Sequence, residues 1–155
     1  MDTITILIGI LAIMAFIVPI ALFKRAQRRR AQLMLADFEA MAQRQGLALS
    51  HREAIDQQLC LGLDTEHRAL LRYTSTADGP HMQTVRLADM ARCRVNSSGD
   101  PERGAHTIGL ALSHRDGRGE TIIDFYSSTR SNIEPDEAKA KAERWQQLVA
   151  PLLSR

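Results

Sequence analysis

Arginine side chains at regular spacing give this 155-residue chain its clearest chemical signal. Four of them occupy outward positions of segments in which apolar and polar residues alternate: Arg72, Arg86, Arg92 and Arg94. Because neighbouring strands lie about 4.8 Å apart, guanidinium groups on consecutive strands form one patch suited to phosphate or carboxylate. Charges on exposed strands also keep sheets soluble, and that role requires no ligand. The sequence therefore predicts an anion-binding or partner-binding face, with a solubilising face as the simpler alternative.

Five more basic side chains directly follow an apolar N-terminal segment: Lys24, Arg25, Arg28, Arg29 and Arg30. Near anionic lipid, each gains about 1 kcal/mol of binding free energy. Positive flanks accompany most membrane anchors, where they set the topology. The set predicts contact with the membrane surface, either as an ordinary flank of an anchor or as a site for a particular anionic lipid.

The residue types that carry catalysis or bind metals form no recognisable constellation. HExxH, Cys/His zinc patterns, a GxSxG elbow, a Walker loop and GxGxxG are all absent from the sequence. Five histidines never form a pair at helical ligand spacing: His51, His67, His81, His106 and His114. Cys60 and Cys93 lack a CxxC arrangement, and we interpret them as reduced, buried small hydrophobes. We expect no catalytic residue, no cofactor and no metal, in a protein that is not an enzyme.

The N-terminal segment has the properties of a membrane anchor. Residues 4–23 carry no charge, and Thr5 is the only polar side chain among them. A helix of this length covers about 30 Å, the thickness of the hydrocarbon core of a bilayer. A secretory signal peptide has its basic residues before the apolar region, whereas here they follow it. Because basic flanks stay in the cytoplasm, the sequence predicts a single-pass protein of the cell inner membrane, with the N-terminus outside.

Three parts follow along the chain: an anchor at residues 1–23, a basic juxtamembrane helical stalk at residues 24–46, and a cytoplasmic domain at residues 47–155. The stalk carries an apolar stripe at helical spacing, which includes Met34 and Phe38. This stripe either packs on the domain or joins two anchors in a short parallel coiled coil, which makes a homodimer. Docking is the favoured interpretation because the stripe spans fewer than two heptads.

Strands are predicted through most of the domain, because apolar residues recur there with a period of two. Six strands in meander order are expected in residues 59–126, and a seventh near residues 47–50. Asp116 and Gly117 predict a tight hairpin between two of these strands. Residues 96–104 are rich in Ser, Gly, Asp and Pro, and are expected to form the longest loop.

A C-terminal helix is predicted to complete the domain. It begins near Pro135, which suits a first-turn position, and it places Trp145 on an apolar stripe as a core residue. Strands followed by this helix predict an α+β fold. Residues 31–155 hold fifteen basic and seventeen acidic side chains, a net charge of −2, so no nucleic-acid binding is expected.

The order of these elements resembles the pleckstrin-homology-like (PH-like) domain of bacterial single-pass membrane-anchored proteins. The resemblance is carried by residues 85–90 (VRLADM), residues 93–95 (CRV), the hairpin at Asp116 and Gly117, and the closing helix with Trp145. It covers about residues 47–153, and it implies an antiparallel bent sheet or small barrel of six to seven strands that the C-terminal helix closes. Such families are largely of unknown function, so the resemblance implies a fold rather than an activity.

Two functional expectations follow. The first is a non-enzymatic, membrane-anchored interaction module whose partners are the bilayer and a protein in the membrane or at its cytoplasmic face. An accessory subunit of an inner-membrane protein complex is one such module. The second is a module that senses anionic lipid or another anion through the arginine-rich sheet face.

Overall fold

A single long helix forms the N-terminal part of the computed structural model, which describes residues 3–100, 105–131 and 133–153. This helix, α1, covers Thr3–Arg44 and so includes both the predicted anchor and the predicted stalk. It is capped after Arg44 by Gly46, whose φ of 73° is left-handed, and the amides of Gly46 and Leu47 donate to carbonyls of its last turn. The predicted stalk and the predicted anchor therefore belong to one continuous helix.

Much of the predicted span lies outside the described side chains, which exclude those of residues 4–14 and 16. Within the part of the chain that the structure describes, no helix has a stretch that is long and apolar enough to cross a bilayer.

The first sheet contains four antiparallel strands in the order β1-β2-β3-β4. They cover His51–Ala54, Leu59–Asp64, Ala69–Thr76 and Gly79–Arg86. The short β1 is the strand beyond the six predicted from alternation, and it begins one residue after the expected range of 47–50. Its sequence shows no apolar alternation because Arg52 and Glu53 point to opposite faces of the sheet, where each meets a charged partner.

The second sheet contains three antiparallel strands in the order β5-β6-β7, after a 3-10 turn at Leu87–Asp89. These strands cover Met90–Asp100, Ala105–His114 and Glu120–Ser127. The predicted hairpin turn is confirmed, and Gly117 has the φ of 72° that the turn requires. The described residues thus hold seven strands.

The prediction of a loop at residues 96–104 is wrong for residues 96–100, which belong to β5. Polar side chains pair across this part of the hairpin instead of apolar ones. Ser97 Oγ lies 3.0 Å from His106 Nε2, and Ser98 Oγ lies 2.8 Å from Thr107 Oγ1. The polar composition therefore reflects an exposed hairpin rather than a break in the strand. Residues 101–104 are outside the described part of the chain.

The last helix, α2, covers Pro135–Leu153 and packs mainly on the second sheet. As predicted, it begins at Pro135, and Trp145 lies on its buried stripe. Its C-terminal carbonyls are satisfied from both sheets: Arg68 donates to Leu152 O and Arg115 donates to Leu153 O. Cationic donors are favourable here because the helix dipole is negative at its C-terminus.

Two separate cores lie on the two faces of the first sheet. The main core joins both sheets to α2 and includes Leu61, Phe125 and Trp145. The second core lies between α1 and the outer face of the first sheet, where Phe38 packs against Tyr73 with ring centroids 5.6 Å apart. Docking of the stalk stripe on the domain is thereby confirmed. The fold is α+β as predicted, although the strands form two sheets that do not close into a barrel.

Candidate functional site

A polar cleft opens between β3 of the first sheet and the end of β7 in the second sheet. We call it the inter-sheet cleft, and its volume is ≈ 80 Å³. The charged residues that line it are Asp56, Arg72, Asp124 and Arg130. Three structural units position them: the β1–β2 connection, the inner face of β3, and β7 with the loop that follows it.

Arg72 lies on the inner face of the first sheet, directly across from Leu61 of β2. The sequence predicted an outward position, and that prediction is wrong because both faces of this sheet are covered. Leu71 and Tyr73 face the stalk helix, so Arg72 between them points toward the second sheet. Its Nε atom is buried without a hydrogen-bond partner. A buried hydrogen-bond donor without a partner lowers the stability of the fold by about 1–3 kcal/mol, and by more when the donor is charged. Such groups are rare in native structures, so this one requires an explanation.

The four charged residues of the inter-sheet cleft form no ion pair with one another. Neither arginine places a side-chain nitrogen within 4.0 Å of either aspartate, although the cleft is small. Asp56 uses Oδ1 to accept hydrogen bonds from the amides of Gln58 and Leu59, both at 2.7 Å, and so fixes the β1–β2 connection. Asp124 borders the cleft from the edge strand β7, but its neighbours Ile123 and Phe125 face the main core, so its own side chain is on the outer face of the second sheet.

The loop after β7 is held in place by its own hydroxyl groups. The amide of Ser127 donates to Ser131 Oγ at 2.8 Å, and Ser127 Oγ lies 3.0 Å from Thr129 Oγ1. These contacts hold the segment that carries Arg130 at the cleft. The hydroxyl proton of Ser131, which also lines the cleft, remains available to a ligand.

The structure does not assemble the four arginines predicted from alternation into one face. Arg72 lies on the inner face of the first sheet, whereas Arg86 is paired with Ala69 on the outer face. Arg92 and Arg94 flank the buried Cys93 on the outer face of the second sheet. The row is broken twice: Arg72 and Arg86 lie on opposite faces of the first sheet, and the chain passes to the second sheet between β4 and β5.

Arg94 has a structural partner in Glu120, with Nη2 and Oε2 2.9 Å apart. Hydrogen bonds from Arg94 and Ser113 lower the pKa of the Glu120 carboxyl below its usual value. This pair joins β5 and β7 across the exposed face, which fits the solubilising role.

The basic side chains of the stalk are all exposed on α1: Lys24, Arg25, Arg28, Arg29 and Arg30. Arg28 and Ala31 line a shallow groove whose other wall is formed by the β1–β2 connection and Ile133. Asp56 borders both this groove and the inter-sheet cleft. The cleft therefore lies next to the end of the basic segment, which the sequence did not predict.

A buried carboxylate elsewhere, Asp64, also escaped sequence reasoning. Its oxygens accept hydrogen bonds from the amide of Ala48 at 2.9 Å, from the amide of His67 at 2.9 Å, and from the ring of His67 at 2.8 Å. Burial acts to raise the pKa of Asp64, but these hydrogen bonds outweigh it and hold the pKa below its ordinary value. The group ties the end of the stalk to the β2–β3 turn and is structural.

Neither cysteine is placed for chemistry. Cys60 and Cys93 are free and buried, as predicted, and burial raises their thiol pKa values to about 12 and about 11. In the described residues, no group of three or more His, Cys, Asp or Glu side chains is arranged to hold a metal ion.

Comparison with known proteins adds no assignment to this geometry. No protein-family model matches the chain. No solved structure matches it either. The inter-sheet cleft and the basic segment are therefore interpreted from their own residues.

Proposed function

We propose that this chain is a non-enzymatic interaction module tethered to the cell inner membrane by residues 4–23. The uncharged length of this segment and the basic residues after it support the tether and the orientation with the domain inside. The succession of four strands, three strands and a closing helix supports the PH-like resemblance.

The observation that carries the proposal is the docking of the stalk on the domain. The stalk is part of one continuous helix with the proposed anchor, and Phe38 and Ala42 are fully buried against the first sheet. The domain is therefore fixed to its tether instead of hanging from a flexible linker. A fixed domain keeps one face, with the β1–β2 connection and the β7–α2 loop, next to the basic segment. That arrangement suits a subunit that presents a defined surface at the membrane to a partner protein.

A homodimer through the stalk stripe is less well supported. Met34, Phe38 and Ala42 are already buried within one chain. A coiled coil that used them would displace the first sheet.

Cysteine labelling in intact cells tests the tether and its orientation. The native thiols are buried, so introduced cysteines report alone. We expect Thr3→Cys to react with a membrane-impermeant maleimide from outside, and Ala88→Cys, in an exposed turn, to react only after permeabilisation. Extraction of the chain by alkaline carbonate, or the reverse labelling pattern, contradicts the proposal.

Crosslinking tests the partner role. A photo-reactive residue in place of Ile122, a large apolar side chain that is 46% exposed, is expected to capture a specific membrane or cytoplasmic protein. The same residue at Ala140, exposed on α2, is the matched control. Recovery of a lone monomer in mild detergent under every crosslinking condition counts against a protein partner.

A second candidate function, sensing of anionic lipid or another anion, is favoured by one observation. Arg72 is held at the inter-sheet cleft with a buried, unpaired Nε. The site in this case is the cleft, rather than the arginine row predicted from sequence.

A further inference from the structure

We propose that the free edge of β4 binds an extended segment of a partner protein as an additional strand, and that this segment carries an acidic residue opposite Arg86. The inference rests on the proposed interaction role and deepens it, because it names the surface and the kind of partner.

The outward backbone groups of β4 have no partner. The amide of Ser75 donates to Gln58 O on the β2 side of β3, so the residues of β3 that alternate with Ser75 are bonded to β4. The residues of β4 that lie between their partners therefore direct backbone groups away from the sheet: Met82, Thr84 and Arg86. The N–H groups of all three residues and the C=O groups of Met82 and Thr84 form no hydrogen bond within the described residues.

Natural sheets usually block a free edge, and the other edges of this protein show two ways of doing so. The edge strand β1 contains only four residues. In β5, the carbonyl of Cys93 accepts a hydrogen bond from the side chain of Gln146 on α2 at 3.2 Å. By contrast, β4 has eight residues, no lysine and no shift in register, and Pro80 interrupts its edge only near the start. It is a regular template for a further strand.

A groove runs beside this edge, and its volume is ≈ 340 Å³. We call it the β4 groove. One wall is formed by residues 83–86 of β4, and the opposite wall includes Met90, His114 and Thr121. The side chain of Arg86 lines the groove and has no hydrogen-bond or ion-pair partner among the described residues. A carboxylate on the added strand, directly opposite Arg86, forms a favourable cross-strand pair with it.

The proposed tether argues against a second copy of this chain as the added strand. Met34, Phe38 and Ala42 recur at every fourth position and are buried against the first sheet, so the axis of α1 runs along its face. Two copies paired antiparallel through β4 are related by a two-fold axis perpendicular to the sheet. That rotation reverses the direction of a helix lying along the sheet, so the two tethers cannot enter one membrane in the same orientation.

Nuclear magnetic resonance of the full chain in nanodiscs tests the edge. The probe is a short synthetic peptide in which threonine and valine alternate around a central glutamate. At saturation, we expect it to slow hydrogen exchange at the amides of Met82, Thr84 and Arg86 by about tenfold or more. Exchange at Gln83 and Val85 should not change, because their amides are already bonded to β3.

Two substitutions at Thr84 separate backbone recognition from side-chain recognition. Thr84→Pro removes an outward N–H, which an edge strand tolerates, whereas Thr84→Val keeps it and is the matched control. We expect the first to weaken peptide binding by about tenfold or more and the second to leave it unchanged. Thermal unfolding shows that each variant is folded. Equal affinity of folded Thr84→Pro and Thr84→Val overturns the inference, and so does the absence of slowed exchange in the wild type.

A charge reversal tests the acidic residue without altering the backbone. A peptide with lysine in place of glutamate should bind the wild type about threefold or more weakly, and Arg86→Glu should reverse this preference. The same preference for glutamate in Arg86→Glu overturns the proposed pairing. Slowed exchange at the outward amides without peptide, which disappears when each nanodisc holds one chain, identifies a second copy and overturns the choice of partner.

Crosslinking from position 122 extends the test to the native partner, since Ile122 follows Thr121 of the β4 groove. The crosslinked product should be lost in Thr84→Pro and kept in Thr84→Val. A product that survives Thr84→Pro overturns the inference and leaves the partner role intact. If the wild type gives no product, the partner role fails, while the peptide titration still decides whether the edge accepts a strand.

Discussion

The indole Nε1 of Trp145 donates a hydrogen bond to Glu53 Oε2 at 2.9 Å, and so joins the last helix of the chain to its first strand. Arg144 donates to the other carboxylate oxygen of Glu53. On the opposite face of β1, Arg52 forms an ion pair with Glu39 of the stalk. The short strand β1 thus connects α1 and α2, which have no extensive contact with each other in the described residues.

The Glu53 contact predicts a clear difference between two substitutions. Glu53→Ala leaves the buried indole N–H unpaired and should lower the free energy of unfolding by about 1–3 kcal/mol. Glu53→Gln keeps an oxygen acceptor for Trp145 and should lose less. Urea unfolding followed by the fluorescence of Trp145, the single tryptophan, measures both. Equal losses in the two variants contradict the role of the hydrogen bond.

Removal of Phe38 should release the stalk from the domain. The side chain is fully buried between α1 and the first sheet, and truncation of buried aromatic residues costs about 3–5 kcal/mol. We expect Phe38→Ala to increase hydrogen exchange in α1 after Ala31, while the second sheet stays protected. Leu33→Ala, at a side chain that is 67% exposed on the same helix, is the control and should change little. Similar exchange in both variants argues against docking.

The cysteines report on the two cores separately. Raised thiol pKa values and burial predict that neither Cys60 nor Cys93 reacts with a maleimide at neutral pH in the native protein. Cys60 lies beneath the stalk, whereas Cys93 lies in the main core. In Phe38→Ala, mass spectrometry should therefore find Cys60 modified much faster than Cys93. Equal rates indicate global unfolding instead of release of the stalk.

The Asp64 and His67 pair predicts a dependence of stability on pH. Because folding lowers the pKa of Asp64, the stabilisation that this carboxylate provides is complete above pH 3.8 and is lost as the pH falls through the pKa of the folded state. The hydrogen bond with Asp64 raises the pKa of His67. The stabilisation that His67 provides is therefore complete below pH 6.5 and is lost as the pH rises through its pKa in the folded state. The pair is therefore strongest between these two limits.

Melting temperatures measured on both sides of these two limits, from about pH 2 to about pH 9, test the pair. His67→Gln should remove the loss of stability on the alkaline side. Asp64→Asn should remove the losses of stability on both the acidic and the alkaline side. His81→Gln is the matched control, since His81 is exposed and distant from Asp64 in the sequence. A difference in melting temperature between wild type and Asp64→Asn that stays constant from about pH 2 to about pH 9 contradicts the assignment.

Sequence reasoning succeeded where one residue pattern determines one local structure. The alternation around Cys93, the turn at Asp116 and Gly117, and the stripe with Trp145 each depend on neighbours in the chain, and all three are confirmed. It failed where polar residues form strands, as in β1 and the end of β5. The polar pairs there, such as Ser98 with Thr107, are visible only once the register is known.

The inter-sheet cleft was not predictable for a related reason. Asp56, Arg72, Asp124 and Arg130 come from distant parts of the chain, and none of them belongs to a motif. Alternation indicated that Arg72 is outward, because it assumes that one face of a sheet is exposed to water. In the structure, the stalk covers the face of the first sheet that carries Leu71 and Tyr73. Arg72 therefore lies on the opposite face, which is directed toward the second sheet.

The burial of β2 on both faces has a consequence for how the sequence can vary. All six of its residues are buried: Leu61 faces the main core, and Gly62 lies so close to Phe38 that an added Cβ would be 2.6 Å from the ring. In β4, only Val85 is buried. Tolerance to substitution should therefore differ sharply between these two strands of one sheet. Substitutions that accumulate during evolution can change the exposed residues of the edge strand β4. Residues of β2 can change only together with the residues of α1 that pack on them.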